Sequence, residues 1–327
     1  MEILAGIDID KDAAQTYKHN FPEAEFICKD VQKITATSLD NIIGKERDYA
    51  LLFCTCAPCQ PFSKQNRQKS DQDERISLLD ELHRFIRRFK PEFIFLENVP
   101  GIQKEKDKGS GPLSRFKHLL SSLGYEFVDE VIYAQDYGIP QRRRRLVLIA
   151  SRVGKISIPY RTHGPGRENP KYEPVWEWIS HLPKIKAGEE CKITPNHRAA
   201  ELSPLNFKRI KNTPKGGDRR DWPKELQLEC HKKYTGHSDV YGRMFKNKPA
   251  SALTTRCISL SNGRFGHPVQ NRAISVREAA CLQTFPMDFI FFGNLNSMAQ
   301  QIGNAVPVLL AKHFGEAFIE KILDTNK

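Results

Sequence analysis

No stretch of this sequence approaches the about 20 consecutive apolar residues that a membrane span requires. Met1 leads into an acidic strand, not into the basic and apolar segment of a secretory leader. Neither a membrane protein nor a secreted one is expected, which leaves an intracellular location as the default. Internal repeats and low-complexity tracts are also missing, so solenoid arrays and biased, unstructured tails are set aside. Cysteine is sparse and dispersed: Cys28, Cys54, Cys56, Cys59, Cys191, Cys230, Cys257 and Cys281 are spread over 327 residues, which favours free thiols over a disulfide framework. Cys56 and Cys59 have the spacing of a dithiol or half of a zinc site, but no second ligand pair matches them, and no metal is expected.

What is present is an ordinary globular composition, 39% hydrophobic, with a strong excess of positive charge. The formal charge is +12, which points to a polyanionic partner. Its distribution says more. Arg152 to Ala250 carries 21 Lys and Arg against 11 Asp and Glu, and half of the 20 prolines, without long hydrophobic periodicity. This reads as a separate basic, loop-rich module.

The first 150 residues alternate short apolar runs with helical patterns, the signature of a parallel sheet covered by helices. Ile3 to Ile7 runs into Asp8, Glu25 to Cys28 leads to Asp30, Tyr49 to Phe53 opens a cysteine-rich loop, and Phe93 to Leu96 ends at Glu97. Ligands in open α/β sheets sit outside such carboxyl ends. Glu74 to Phe89 places Ile76, Leu79, Leu82, His83, Ile86 and Phe89 near one helical face, with Pro91 closing it. Leu146 to Ala150 is strand-like. Ser275 and Glu278 have the spacing of a helix capping box, and an apolar helix is expected over Val308 to Leu323.

In and just before Thr55 to Ser63, Cys54 and Cys56 have apolar neighbours and suit a buried structural role, whereas Cys59, between Pro58 and Gln60, is expected to be exposed and reactive. Pro58-Cys59-Gln60, Glu97-Asn98-Val99, Gln141 to Arg145, Arg277-Glu278 through Pro286, and Gln301 to Pro307 follow one another in an order that resembles the DNA cytosine-5 methyltransferases. Each motif is weak alone; five in order are specific. The resemblance implies an α/β, S-adenosylmethionine-dependent, Rossmann-like methyltransferase sheet with a smaller basic target-recognition domain. The implied divisions are 1–155 for catalysis and cofactor, 156–262 for target recognition, and 263–327 returning to the catalytic domain.

It also implies the site. Cys59 would attack carbon 6 of cytosine, Glu97 would serve ring nitrogen 3, and Arg143 and Arg145 would hold the base and orient both. In a strand, Arg143 and Arg145 share one side while Arg142 and Arg144 share the other. Asp8 with Ile9 would take the ribose of S-adenosylmethionine and Asp30 with Val31 its adenine, Asp10 competing with Asp8; Pro58, Asn304 and Val306 would close that pocket. The expected partner is double-stranded DNA with the target base flipped out. Gln60, Ser63, Lys64, Arg67 and Gln141 would act near that base, and Arg209, Arg219 and Arg220 in the basic module, where Lys208, Lys211 and Lys215 also lie, on the duplex. A cytoplasmic, nucleoid-associated bacterial enzyme of a restriction-modification system fits this reading. An RNA cytosine methyltransferase and a DNA-binding remnant or subunit are the alternatives.

One family feature is missing. Members begin with a strand and a glycine-rich Phe-x-Gly-x-Gly-Gly turn, whereas Met1 to Gly6 corresponds to the entry of their second strand. The expectation is a truncated start, or a second polypeptide that supplies the strand and glycine-rich loop; an inactive remnant is the third explanation.

Overall fold

The structure is a computed structural model that describes residues 1–44, 46–56, 78–103, 111–232 and 239–325. In chain order these form β1 (Ala5–Asp8), α1 (Lys11–Asn20), β2 (Glu25–Cys28), α2 (Asp40–Ile43), β3 (Leu52–Thr55), α3 (Leu82–Phe89), β4 (Phe93–Asn98), α4 (Pro112–Ser122) and β5 (Glu126–Tyr133). There follow β6 (Gln141–Arg142), β7 (Arg144–Ser151), α5 (Val175–Ile179), α6 (Pro204–Lys211), α7 (Glu229–Lys232), β8 (Ala250–Ser251), α8 (Val276–Leu282), α9 (Leu295–Asn304) and α10 (Val308–Thr325). The chain divides into two compact units, one of Met1–Tyr133, Arg144–Tyr160 and Lys312–Lys327, the other of Ala134–Arg143 and Arg161–Ala311. Among the described residues no helix is long and apolar enough to cross a membrane.

The first unit is built on a four-stranded sheet in the order β3-β4-β7-β5, with β1 and β2 paired in a parallel ladder of their own. The apolar runs read as a parallel sheet, and the sheet they form is mixed. β3 and β4 are parallel, but β7 runs antiparallel to both β4 and β5. Glu126 lies opposite Ser151 and Tyr133 opposite Arg144, so the chain reverses between these strands instead of crossing over through a helix. β5 escaped the sequence reading because Glu126, Asp129 and Glu130 interrupt its apolar run. β4 is buried throughout, as a strand covered on both faces should be.

One core cluster contains Ile34, Leu39, Ile43, Leu51, Phe85 and Phe89, with Leu4, Ile27 and Phe53 packed against it. It therefore draws on both ladders. Helix α3 begins at Leu82, later than periodicity suggests, and buries Phe85, Ile86 and Phe89; residues 74–77, with Ile76, lie outside the described residues. Lys90 ends it in a left-handed conformation, and Pro91 follows. Along α10, Phe314 meets Phe95 at 5.3 Å and Phe318 meets Phe93 at 5.1 Å between ring centroids.

The second unit has short elements and a core around Val175, Ile179, Leu253, Phe265, Ile274 and the buried face of α8. The capping box of α8 is present: Ser275 Oγ accepts from the Glu278 amide, and Glu278 accepts from the Ser275 amide. Buried arginines do the work that ladders do elsewhere. Arg243 donates to the carbonyl oxygens of Ile210, Thr213, His267 and Gln270. Arg277 donates to those of Pro195, Pro286 and Phe289, and Arg272 forms a two-pronged pair with Glu278, both prongs at 2.7 Å.

Candidate active site

In the first unit, Glu97 ends the apolar run of β4 and is only 2% exposed, with Arg145 Nε 2.8 Å from its Oε1. The spacing follows from the ladder. Glu97 lies opposite Val147 of β7, and Arg145 is two residues away on the same face, so the two side chains are diagonal neighbours across an antiparallel pair. Arg142 and Arg144 are exposed while Arg143 is buried and Arg145 half-buried, the alternation expected of a strand. Arg144 lies over the ring of Tyr133 at 5.8 Å.

The carboxyl ends of β1 and β2 bring two more acids together. Asp8 is aligned with Cys28, and Asp30 follows two residues later. Asp10 caps α1, accepting from the Asp12 and Ala13 amides at 2.8 and 3.0 Å, which leaves Asp8 as the strand-end carboxylate. Asp8 accepts from the Asp10 amide and Asp30 from the Gln32 amide, each through Oδ1, and Ile9 beside them is 69% exposed. Val31 is half-buried. Two carboxylates, each with a second oxygen able to accept, beside an exposed apolar side chain form a set that suits a nucleoside's hydroxyls, amino group and ring face.

In the second unit, the late motifs surround Asn304 and Val306. Asn304 is the exposed last residue of α9, and Val306 is half-buried just beyond it. A side-chain lattice holds this segment: Gln283 donates to the carbonyls of Ile302 and Ala305, and Gln141 donates to Gln283 at 2.8 Å and accepts from the Leu253 amide. Arg143 donates to the carbonyls of Gly303 at 2.9 Å and Leu253 at 3.3 Å. Gly303 itself passes so close to Thr254 that a β-carbon would stand 2.3 Å from its carbonyl oxygen. Sequence reasoning missed Gln283 as a brace, although it lies inside a quoted motif.

Several expected residues are placed differently. Arg143 is 2% exposed and Gln141 is fully buried, and both hold backbone groups of their own unit. Arg209, 6% exposed, donates to the Leu226 carbonyl and stacks on Trp222 at 5.3 Å and Tyr241 at 5.6 Å. Arg219 is equally buried. Arg220, by contrast, is 69% exposed and pairs with Asp218. Cys54 and Cys56 are exposed, not buried, because they lie at and beyond the end of β3, the outermost strand of its sheet. Pro58, Cys59, Gln60, Ser63, Lys64 and Arg67 lie outside the described residues.

The family model for C-5 cytosine-specific DNA methylases matches residues 1–320. The chain belongs to this family. Among C-5 cytosine DNA methylases, it is 41% identical over 316 residues to the Type II methylase M.HgiDII of Herpetosiphon aurantiacus, covering 95% of this chain and 86% of that protein. It is 32% identical over 329 residues to the Type II methyltransferase M1.HphI of Haemophilus parahaemolyticus, covering 99% and 82%. The fold agrees with that of a solved prophage-encoded DNA modification methyltransferase from E. coli, at TM-score 0.73 and 21% identity over 98% of this chain and 93% of that one. This cytosine methylase is an enzyme on a methyltransferase α/β fold.

Proposed function

We propose that this chain transfers a methyl group from S-adenosylmethionine to carbon 5 of a cytosine flipped out of duplex DNA, as the modification enzyme of a type II restriction-modification system in the bacterial cytoplasm. The family membership supports the reaction, and the Glu97–Arg145 pair at the end of a buried strand is the single observation that carries its chemistry. In this reading the thiolate of Cys59 adds to carbon 6, forming a carbon–sulfur bond and pushing the ring's electrons toward carbon 5. Glu97 serves ring nitrogen 3 while Arg145 fixes its carboxyl. Once carbon 5 has taken the methyl group, which would leave S-adenosylhomocysteine, a solvent base accepts the carbon 5 proton, the carbon–sulfur bond breaks, and the thiolate returns.

Asp8 with Ile9 and Asp30 with Val31 would hold the nucleoside end of S-adenosylmethionine, and Pro58, Asn304 and Val306 its methionine end. When bound it supplies the electrophilic methyl group. Arg143 and Gln141 act as positioning residues, keeping the segment before Val306 in place. Gln60, Ser63, Lys64 and Arg67 would close on the flipped base, and the basic module at 156–262 would grip the duplex through exposed Lys208, Lys211, Lys215 and Arg220.

Tritium transfer from labelled S-adenosylmethionine to competing duplex DNA and transfer RNA tests the reading, with label expected in DNA. Label confined to RNA would replace it by the RNA alternative. A second reading concerns the partner: β1 and β3 each have one edge unpaired among the described strands, where a second polypeptide could add a strand. Full turnover by the purified chain alone would remove that requirement.

A further inference from the structure

Between Thr213 and Trp222 the second unit carries a tightly braced loop in which an exposed arginine is aimed by a buried acid. Asp218 is 4% exposed in its side chain, yet its partner Arg220 is 69% exposed. Arg220 Nε donates to Asp218 Oδ1 at 2.8 Å and Nη2 to Oδ2 at 2.6 Å, a two-pronged pair along one side of the guanidinium. The Arg220 amide donates to the same carboxylate at 3.0 Å. Behind it, Asp218 accepts from Arg264 at 3.1 Å, and Arg264 donates to the carbonyls of Gly216 and Gly217 at 3.0 Å each. The Asp218 amide donates to Asp221 at 2.8 Å, closing a capping box.

An ordinary surface ion pair has two mobile, solvated partners and fixes nothing. Here the acid is immobilised and the arginine is held at its root. The hydrogen bond from Arg220 draws the Asp218 carboxyl down to about 2, so the brace is fully charged at neutral pH. With Nε and one Nη2 proton engaged, the free edge of the fork offers the Nη1 protons and the remaining Nη2 proton to solvent. That edge matches the two major-groove acceptors of guanine, O6 and N7, which no other base presents together. Exposed Lys208, Lys211, Lys215 and Lys224 surround the loop in sequence, the kind of neighbourhood that phosphates require.

We infer that Arg220, positioned by Asp218, reads one guanine of the recognition sequence. This rests on the DNA-modifying reading and deepens it by naming the residue that specifies one base pair. The test is to let the purified chain methylate a duplex library with randomised sequence around the target cytosine, and to read the methylated motif for wild type, Arg220→Ala and Arg220→Gln. Arg220 is exposed, so both variants should fold, which a thermal melt checks. The expected result is a loss of about ten- to a hundredfold in preference for guanine at one motif position, the other positions unchanged. Asp218→Asn should weaken the same position by less.

An unchanged motif in Arg220→Ala overturns the assignment. A uniform loss across all sequences, with a shallower salt dependence, would make Arg220 a phosphate contact and overturn it as well. If wild type itself neither methylates nor selects any duplex, the failure lies in the DNA-modifying reading, and the assignment falls with it.

Discussion

The two units solve the burial of backbone polar groups by different means. The first pairs its strands in ladders and seals them with apolar side chains, as where Phe314 and Phe318 of α10 meet Phe95 and Phe93 of β4. The second has few ladders, so arginine side chains satisfy the loop carbonyls from inside. Arg209, Arg219, Arg243, Arg264, Arg272 and Arg277 are all at most 7% exposed. The lesson concerns charge: much of the arginine that makes this region basic belongs to its core, and the charge available to a polyanion is carried by exposed lysines and by the exposed arginines Arg142, Arg167, Arg198, Arg220 and Arg256.

Perturbations should separate the two kinds of core. Phe318→Ala should have the largest effect, destabilising the first unit by about 3–5 kcal/mol through lost burial and a cavity. Urea unfolding followed by far-ultraviolet circular dichroism measures it. The chain's three tryptophans, Trp176, Trp178 and Trp222, all lie in the second unit, so their fluorescence should be little altered by that change. Arg243→Met should do the reverse, destabilising the second unit by about 3 kcal/mol because several buried carbonyls lose a charged donor, and here the tryptophan transition should move. Burial already draws Arg243 down to about 10, so it remains charged at neutral pH.

The smallest effect is on the acid side. Asp218 has a carboxyl held well below its ordinary value by Arg220, and Glu278 is also held low, burial being outweighed by hydrogen bonds from Arg272 and His267. Carboxyls with depressed values stabilise the fold above their ordinary range and lose that contribution as pH falls through it. Tryptophan fluorescence in mild urea should therefore show the second unit weakening below about pH 4, steadily toward pH 2. Insensitivity over that window would mean that the arginine–carboxylate pairs are incidental.

Legibility divides along the same line. The apolar runs of β4 and β7 could be read from the sequence because buried strands are continuous hydrophobic stretches, those of β1, β2 and β3 as short apolar runs although none of their residues is fully buried, and the capping box of α8 because it is local. β5 could not, since its acidic residues mask it. In the site, Glu97 beside Arg145 followed from motif order and strand alternation. The buried fates of Gln141, Arg143, Arg209 and Arg219 could not be seen, because an amide or guanidinium satisfying the protein's own polar groups and one facing nucleic acid are the same letter. Only tertiary contacts distinguish them.

The central claim is that a sulfur nucleophile and the Glu97–Arg145 pair act on one cytosine. It is tested most directly by incubating the chain with S-adenosylmethionine and a duplex carrying 5-fluorocytosine at the target. A denaturation-resistant protein–DNA adduct is expected with wild type and is expected to vanish in Cys59→Ser. An adduct that survives Cys59→Ser, or a wild-type protein that binds the duplex stably and forms none, would contradict the account.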